Sequence, residues 1–492
     1  MSMNTVWRVL ICVVIGLGAF FFLNSLMISA ERPDSLSAPR HQDAHQSPAL
    51  ASANGTYTVY LPMMSQCWST RIPPFGIQFY GKLDANSGLE QAVDAGGRWA
   101  RLPLSWVSIE PTDTEPEKYD WSVLDVSVTN AAQSEVELIL TMAGQPSWAA
   151  VYGMGPLTDT ADLLEFAGAL VERYDGDGVD DAPGSPQVHY FELYNEPDNA
   201  DVGHALSGGW GYWGHNGAGY AELLQELYPV VKAADSQAKL VLGGIALDWF
   251  DDNDPPGPFD RYFLDDVLAA CQGKNCFDVM NFHYYPPFRA RWEPYGPGII
   301  GKTNYVRERL AAYGFADMPV ICTETSWGSG ADWGSDELQS RYTAKGYVRG
   351  MAAGLDVVVW FEILDRDPTL SGLLDNSLQP KPSYWAYQAM SNMLRDAVYQ
   401  RPLTLAETGS DQIAGYVFQL CNQRIDVVWT EDDTPYDPND DPVLPLTVQA
   451  ETLRVVDKVG NETFYGNEND GVADGQITVY VGGSPLYLEY NP

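Results

Sequence analysis

With 492 residues, 45% of them hydrophobic, the chain is too long for one ordinary domain and can bury enough core for two. Lys and Arg total 28 against 66 Asp and Glu, a formal charge of -38 that would repel nucleic-acid phosphates and anionic membrane surfaces. The acids are spread along the chain rather than gathered in a tail, so they read as a solvated surface.

Arg8 precedes an apolar run from Val9 to Ala30, long enough to cross a bilayer at ~1.5 Å per residue. Residues 1–30 therefore read as an export signal or a membrane anchor. Ile28-Ser29-Ala30 is only a fair cleavage site, because Ile28 is larger than the residue usual there, which favours an uncleaved transmembrane anchor. Arg8 on the amino side and acids beyond place the rest of the chain outside the cytoplasm, secreted or anchored. Residues 31–55, rich in Ser, Ala, Pro, His and Gln, read as a flexible linker, and 56–73 as a lead-in.

Six cysteines agree with export. Cys12 lies in the apolar run, and Cys322 in a strand where a buried free thiol is expected. Cys271 and Cys276 in CQGKNC are close enough to close a small disulfide loop. Cys67 and Cys421 could bridge the start of the chain to its last domain, a pairing the sequence leaves open.

Between residues 74 and 395 strand-like runs alternate with helical segments. The strands are Phe75 to Tyr80, Trp99 to Pro103, Val136 to Met142, Val188 to Tyr194, Leu240 to Ile245, Phe277 to His283, Val320 to Thr323 and Val357 to Phe361. The clearest helix carries Leu163, Phe166, Ala167, Leu170, Val171 and Tyr174 at a 3.6-residue period, after a cap at Thr158 or Asp159. Eight such units predict an α/β fold, a (β/α)8 TIM barrel. From 396 to 492 the pattern changes to short β-rich runs separated by turn clusters such as TEDDTPYDPNDDP, which predicts a smaller all-β C-terminal domain, a β-sandwich or antiparallel sheet.

Two stretches of the barrel share one design. YFELYNEPD runs from a buried strand into Asn195-Glu196-Pro197, and MPVICTETSWGSG runs from Val320 into Thr323-Glu324-Thr325 before breaking at glycine. A lone glutamate at a strand end is ordinarily a surface or salt-bridged residue. Two of them, after strands four and seven of one barrel, suggest a catalytic carboxylate pair, one to protonate a leaving oxygen and one to meet an oxocarbenium-like centre. Arg101, Trp148, His283, Tyr285, Trp327 and Trp360 also fall near strand ends. There an Arg can hold a nucleophile ionised, His and Tyr can orient it, and Trp can floor a sugar ring; core packing or a structural hydrogen bond competes for each residue taken alone.

These motifs, with YDWSVLD, RLPLSW, GQPSWA, LYNEPD, FHYY and TETSWG, resemble the clan A glycoside hydrolases, with families 39 and 5 nearest. The resemblance covers the barrel from Phe75 to Met390. It implies a retaining mechanism with Glu196 as acid/base, Glu324 as nucleophile and Asn195 as donor to the sugar 2-hydroxyl, no cofactor, and an oligo- or polysaccharide substrate. The final β-domain is similar to the sandwich that accompanies several such barrels.

Two loops carry further patterns. SGGWGYWGHNG matches the dinucleotide fingerprint at Gly209, Gly211 and Gly214, but begins well after strand four; Trp210, Tyr212 and Trp213 suggest instead an aromatic flap, or a purely structural loop. YDGDGVDDAPGSP offers Asp175, Asp177, Asp180 and Asp181 as oxygen ligands of the kind calcium favours, without the spacing of an EF-hand, so a solvated acidic turn competes. The reading that results is an exported glycosidase acting on a neutral glycan. Its rivals are a barrel that binds carbohydrate without cutting it and a surface interaction protein working through its β-domain.

Overall fold

Strand residues alternate between two faces, so a barrel strand must satisfy the helices outside with one set of side chains and the interior with the other. The computed structural model describes residues 71–203, 211–248, 258–431, 442–468 and 471–491. The apolar run 9–30, the linker, most of the lead-in, Cys67, Gly209 and Trp210 lie outside them. Eight parallel strands form one sheet: β1 Phe75–Gln78, β2 Trp99–Ser105, β3 Glu137–Ala143, β4 Tyr190–Leu193, β5 Lys239–Leu242, β6 Met280–Tyr284, β7 Val320–Thr325 and β8 Val358–Trp360. Their order is β5-β4-β3-β2-β1-β8-β7-β6, and bridges from Val241 to Val279 and from Ile245 to Phe282 join β5 to β6, closing the barrel. The expected eight strands are these eight.

Ala100, Leu138, Leu140, Phe191, Leu193, Leu240 and Leu242 face outward into the core shared with the helices. Among those helices is Thr160–Arg173, capped by Asp159, whose carboxylate accepts from the Ala161 amide and whose buried residues are the predicted stripe. The inward residues form layers. Trp99, Ile139, Val241, Val279, Ile321, Val357 and Val359 make an apolar cluster with Tyr190 packed against it. Two residues further along their strands stand Arg101, Thr141, Glu192, Asn281 and Thr323, all buried and all polar. The strand period thus turns a hydrophobic floor into a polar layer facing the carboxyl ends.

The C-terminal part is antiparallel. Strands β9 Val398–Pro402, β10 Ile413–Leu420, β11 Gln423–Thr430, β13 Thr452–Asp457, β14 Glu462–Gly466 and β16 Leu486–Tyr490 form a six-stranded sheet in the order β14-β13-β16-β11-β10-β9. A separate ribbon pairs β12 Leu444–Gln449 with β15 Gln476–Val481. Val428, Leu453, Val455 and Leu488 pack with Leu446, Val448, Ile477 and Val479 of the ribbon. Tyr416, Phe418, Val427, Trp429 and Tyr487 join the barrel's core. The inner strands of the six-stranded sheet therefore pack against the ribbon on one face and the barrel on the other.

Of the cysteines, Cys271 and Cys276 form the expected disulfide, Cys322 is free and buried, and Cys421 is disulfide-bonded. Among the described residues no helix is long and apolar enough to cross a membrane; the segment expected to do so lies outside them.

Candidate active site

The polar layer is organised around Arg101, 1% exposed. Its Nε and Nη2 donate to the two carboxylate oxygens of Glu192 at 2.7 and 3.0 Å, its Nη1 to Glu324 Oε1 at 2.6 Å, and its Nη2 also to Asn195 Oδ1 at 2.6 Å. Burial alone would depress the guanidinium, but Glu192 and Glu324 more than offset it and hold its pKa above the ordinary value. Glu192, with no exposed surface, also accepts from Thr141 Oγ1 at 2.6 Å, Asn281 Nδ2 at 2.8 Å and the Gly244 amide at 3.0 Å. That many donors fix the Glu192 side chain in place.

Glu324 lies inside β7 rather than beyond it. Pairing between β6 and β7 slips by one residue after Phe282 and Cys322, so His283 stands opposite Glu324 and Thr323 is the extra residue. This irregularity lets consecutive residues reach the interior: Thr323 touches Asn281 and His283, and Glu324 touches Arg101. Tyr285 donates its hydroxyl to Glu324 Oε2 at 2.8 Å.

Glu196 adopts φ 46 and Tyr194 φ 62, left-handed conformations that non-glycine residues avoid unless the surroundings impose them. Here the Glu196 amide is held by the Gly244 carbonyl at 3.1 Å. His283 Nδ1 lies 3.0 Å from Glu196 Oε1 and 3.5 Å from Glu324 Oε2. A carboxylate oxygen of Glu196, a ring nitrogen of His283 and a carboxylate oxygen of Glu324 all lie within 4.8 Å of one another. Burial lowers the His283 pKa to about 4, so the imidazole is neutral at neutral pH.

A neutral imidazole carries one ring proton, and its neighbours decide where. Asn281 Nδ2 donates to Glu192, which turns Asn281 Oδ1 toward Thr323; the Thr323 hydroxyl donates to that oxygen at 2.9 Å. Thr323 Oγ1 is then an acceptor for His283 Nε2 at 3.2 Å. The proton sits on Nε2, Nδ1 is an acceptor, and the hydrogen bond to Glu196 is satisfied when Glu196 carries a proton.

No protein-family model matches the chain, and no curated protein matches it. Solved structures do. A family 39 glycoside hydrolase from Bacteroides cellulosilyticus is similar with a TM-score of 0.63 at 20% identity, over 85% of this chain and 81% of that one. A β-xylosidase from Caulobacter crescentus gives 0.56 at 15% identity, covering 86% and 97%. A family 51 α-L-arabinofuranosidase from Thermotoga petrophila gives 0.56 at 11% identity, covering 85% and 98%. The fold is that of the clan A glycoside hydrolases. At these identities the likeness is one of fold.

Of the residues singled out from the sequence, Arg101, Asn195, Glu196, His283, Tyr285 and Glu324 converge in this network. Trp148 and Trp327 do not join it: Trp148 is partly exposed, edge-on to Trp106 at 5.6 Å, and Trp327 donates its indole N–H to the Trp333 carbonyl at 2.9 Å. Trp360 must be corrected. It was expected to floor the sugar, but it has no exposed surface and its indole N–H donates to the Ser371 carbonyl at 2.9 Å. Because Val357 and Val359 face the interior, alternation sends Trp360 outward to the helices. Phe361 takes the inner position, its ring 6.2 Å from Tyr80 and 6.5 Å from Tyr285.

Glu192, Thr141, Asn281 and Thr323 were not anticipated as site residues; a charged residue in mid-strand, as in YFEL, is the signal that could have found the first. Glu362 is buried with neither carboxylate oxygen hydrogen-bonded, and burial, with Asp367 next, pushes its pKa well above the usual range.

In the acidic loop, ligand atoms of Glu172, Asp175 and Asp177 lie within 4.8 Å of one another, while Asp180 and Asp181 are not part of that group. Asp175, Asp177 and Asp181 accept from the amides of Asp177, Val179 and Gly178, so these carboxylates are engaged within the turn itself. Gly211 and Gly214 serve packing: a Cβ on either would lie 2.3 Å from Asn199 Cβ or 2.6 Å from the Ala200 amide nitrogen.

Proposed function

We propose that the chain is an exported retaining glycoside hydrolase that cleaves a neutral glycan by double displacement, with Glu324 as nucleophile and Glu196 as acid/base. The carrying observation is the approach of the two side chains, one carboxyl oxygen of Glu196 lying within 4.8 Å of one of Glu324, with His283 Nδ1 reaching both. Retention requires a carboxylate to touch the anomeric carbon directly, at a carboxyl spacing of ~5 to 5.5 Å; inversion leaves room for water at ~6.5 to 9.5 Å.

The hydrogen bonds divide the roles. Glu324 accepts from a guanidinium N–H and a phenol O–H, which fix its carboxyl group in place as an attacking group. Glu196 faces an acceptor nitrogen and so favours its acid. In the first step a Glu324 oxygen bonds to the anomeric carbon while the glycosidic C–O bond breaks and the Glu196 proton passes to the leaving oxygen. In the second, Glu196 takes a proton from water, the water oxygen bonds to the anomeric carbon, and Glu324 departs as carboxylate. Asn195, its Oδ1 engaged by Arg101, is left with its amide N–H groups for a sugar hydroxyl. Glu192 and Glu324, the two carboxylates paired with the Arg101 guanidinium, make the site unfavourable for an anionic sugar. The Cys271–Cys276 disulfide favours an oxidising compartment, outside the cytoplasm.

The test is a panel of aryl glycosides and neutral polysaccharides with purified protein. Wild type is expected to hydrolyse at least one, with product of retained anomeric configuration by NMR. Glu324→Gln should lose about four orders of magnitude in kcat. Glu196→Ala should keep the first step for activated aryl leaving groups, with azide rescuing the second. A blank across the panel would favour a barrel that binds sugar without cutting it, and azide rescue of Glu324 variants would exchange the two roles.

A further inference from the structure

Two tyrosines on neighbouring loops meet at the barrel mouth. Tyr152 belongs to the loop after β3 and Tyr212 to the loop after β4; their ring centroids are 4.5 Å apart, and both residues are partly exposed. Both loops are fastened to the residues just before Glu196. Gln145 Nε2 donates to the Tyr152 carbonyl at 2.9 Å and the Gly155 carbonyl at 3.1 Å, and Gln145 Oε1 accepts from the Tyr194 hydroxyl. The Asn195 amide reaches Met154 Sδ at 3.4 Å, and Trp213 Nε1 donates to the Met154 carbonyl at 2.7 Å. Trp213 in turn holds Tyr212 edge-on at 5.8 Å.

Tyr212 is held at φ 118, a region that side-chain-bearing residues rarely occupy, with its amide fixed to the Asn199 carbonyl at 2.9 Å. Tyr212 packs against the main core on one side, yet its ring remains partly in solvent. Flat aromatic faces partly in solvent beside a carbohydrate site offer the apolar face of a ring something to stack on.

We propose that Tyr152 and Tyr212 form the subsite for the leaving-group half of the substrate, taking the apolar face of a pyranose or aryl ring on the Glu196 side of the mouth. The proposal rests on the glycosidase reading. Glu196 gives its proton to the leaving oxygen, so a platform carried by the loops fastened at Tyr194 and Asn195 stands on the leaving side, whereas Glu324 on β7 attends the sugar that is attacked. The preferred substrate then extends past the cleaved bond with a ring, and an alkyl leaving group is disfavoured.

The test compares two leaving groups on one sugar. For p-nitrophenyl and fluoride derivatives of glucose and of xylose, kcat/KM is measured for wild type, the Tyr152→Ala/Tyr212→Ala double variant and the corresponding double Phe variant. Fluoride is too small to reach the platform. The aryl-to-fluoride ratio should fall on the order of tenfold in the Ala variant and hold in the Phe variant, which keeps both rings. Equal losses on both substrates, or none on either, would overturn the subsite. Wild type inert across the whole panel of aryl glycosides and polysaccharides would instead defeat the glycosidase reading and the subsite with it; if another sugar of the panel is the one cleaved, its p-nitrophenyl and fluoride derivatives are compared in the same way. A melting curve for each variant separates a misfolded protein from a specific loss, and the single Ala variants supply the same ratio if the double variant fails to fold.

Discussion

Thr323 donates a hydrogen bond to Asn281 and accepts one from His283, and through that side chain the Glu192–Arg101 network reaches Glu196. Valine has the same shape without the hydroxyl. In Thr323→Val the imidazole is free to place its proton on Nδ1, where it would donate to Glu196 and stabilise the carboxylate. The alkaline limb of the kcat/KM profile should then move to lower pH, with kcat falling about 10- to 100-fold on poor leaving groups and far less on p-nitrophenyl substrates. An unmoved limb would mean that the relay does not set the acid.

Asp198, two residues after Glu196, accepts from the Ala246 and Leu247 amides, and its pKa is raised from 3.8 to about 7, chiefly by burial. Over that interval the folded state binds a proton that the unfolded state has released, so this group's contribution to stability is fullest below pH 3.8 and declines as pH rises toward 7. Asparagine keeps the acceptor oxygen and removes the titration. Urea unfolding of Asp198→Asn should therefore show a smaller loss of stability between about pH 5 and about pH 8 than wild type.

At the level of elements, the end of β5 is shaped by close approach. A Cβ on Gly244 would stand 2.2 Å from His283 Nε2, and the Gly244 amide and carbonyl already hold Glu192 and Glu196. Gly244→Ala should displace the imidazole and cut kcat by at least about tenfold, more than it lowers KM-based affinity; a variant with wild-type kinetics would show the site to be softer than its contacts imply. The eight barrel strands were legible because each is an apolar run bounded by helical periodicity. β9 and β14 were not, since VYQRP and ETFYG are exposed edge strands with little apolar signal. Glu324 was legible as a strand-end acid, but not the slip in pairing that turns it inward, because a one-residue irregularity leaves no compositional trace. Trp360 failed for the opposite reason: its position was right to one residue, and one residue reverses the face.

At the scale of the whole molecule, the six-stranded sheet ties the two parts together. Trp429 has no exposed surface, stacks on Tyr416 at 5.2 Å and lies under the Arg349 guanidinium, while Lys458 binds Glu337 of the barrel at 2.8 Å. Because one face of that sheet is barrel core, calorimetry should record one unfolding transition. Trp429→Ala should lower stability by about 3 to 5 kcal/mol. Two separable transitions in wild type would contradict the shared core.

Among the described residues, the apolar floor formed by Trp99, Ile139, Val241, Val279, Ile321, Val357 and Val359 fills the barrel beneath the polar layer, so the candidate site is approached from the carboxyl ends of the strands. On the proposed mechanism, the departing half-substrate and the incoming water use the same passage and queue for the same acid. Whatever lingers there after the first step, including another sugar hydroxyl, competes with water for the covalent intermediate. A barrel floored in this way is thereby inclined to move its glycosyl group onto an acceptor when acceptors are concentrated, and to hydrolyse when they are scarce.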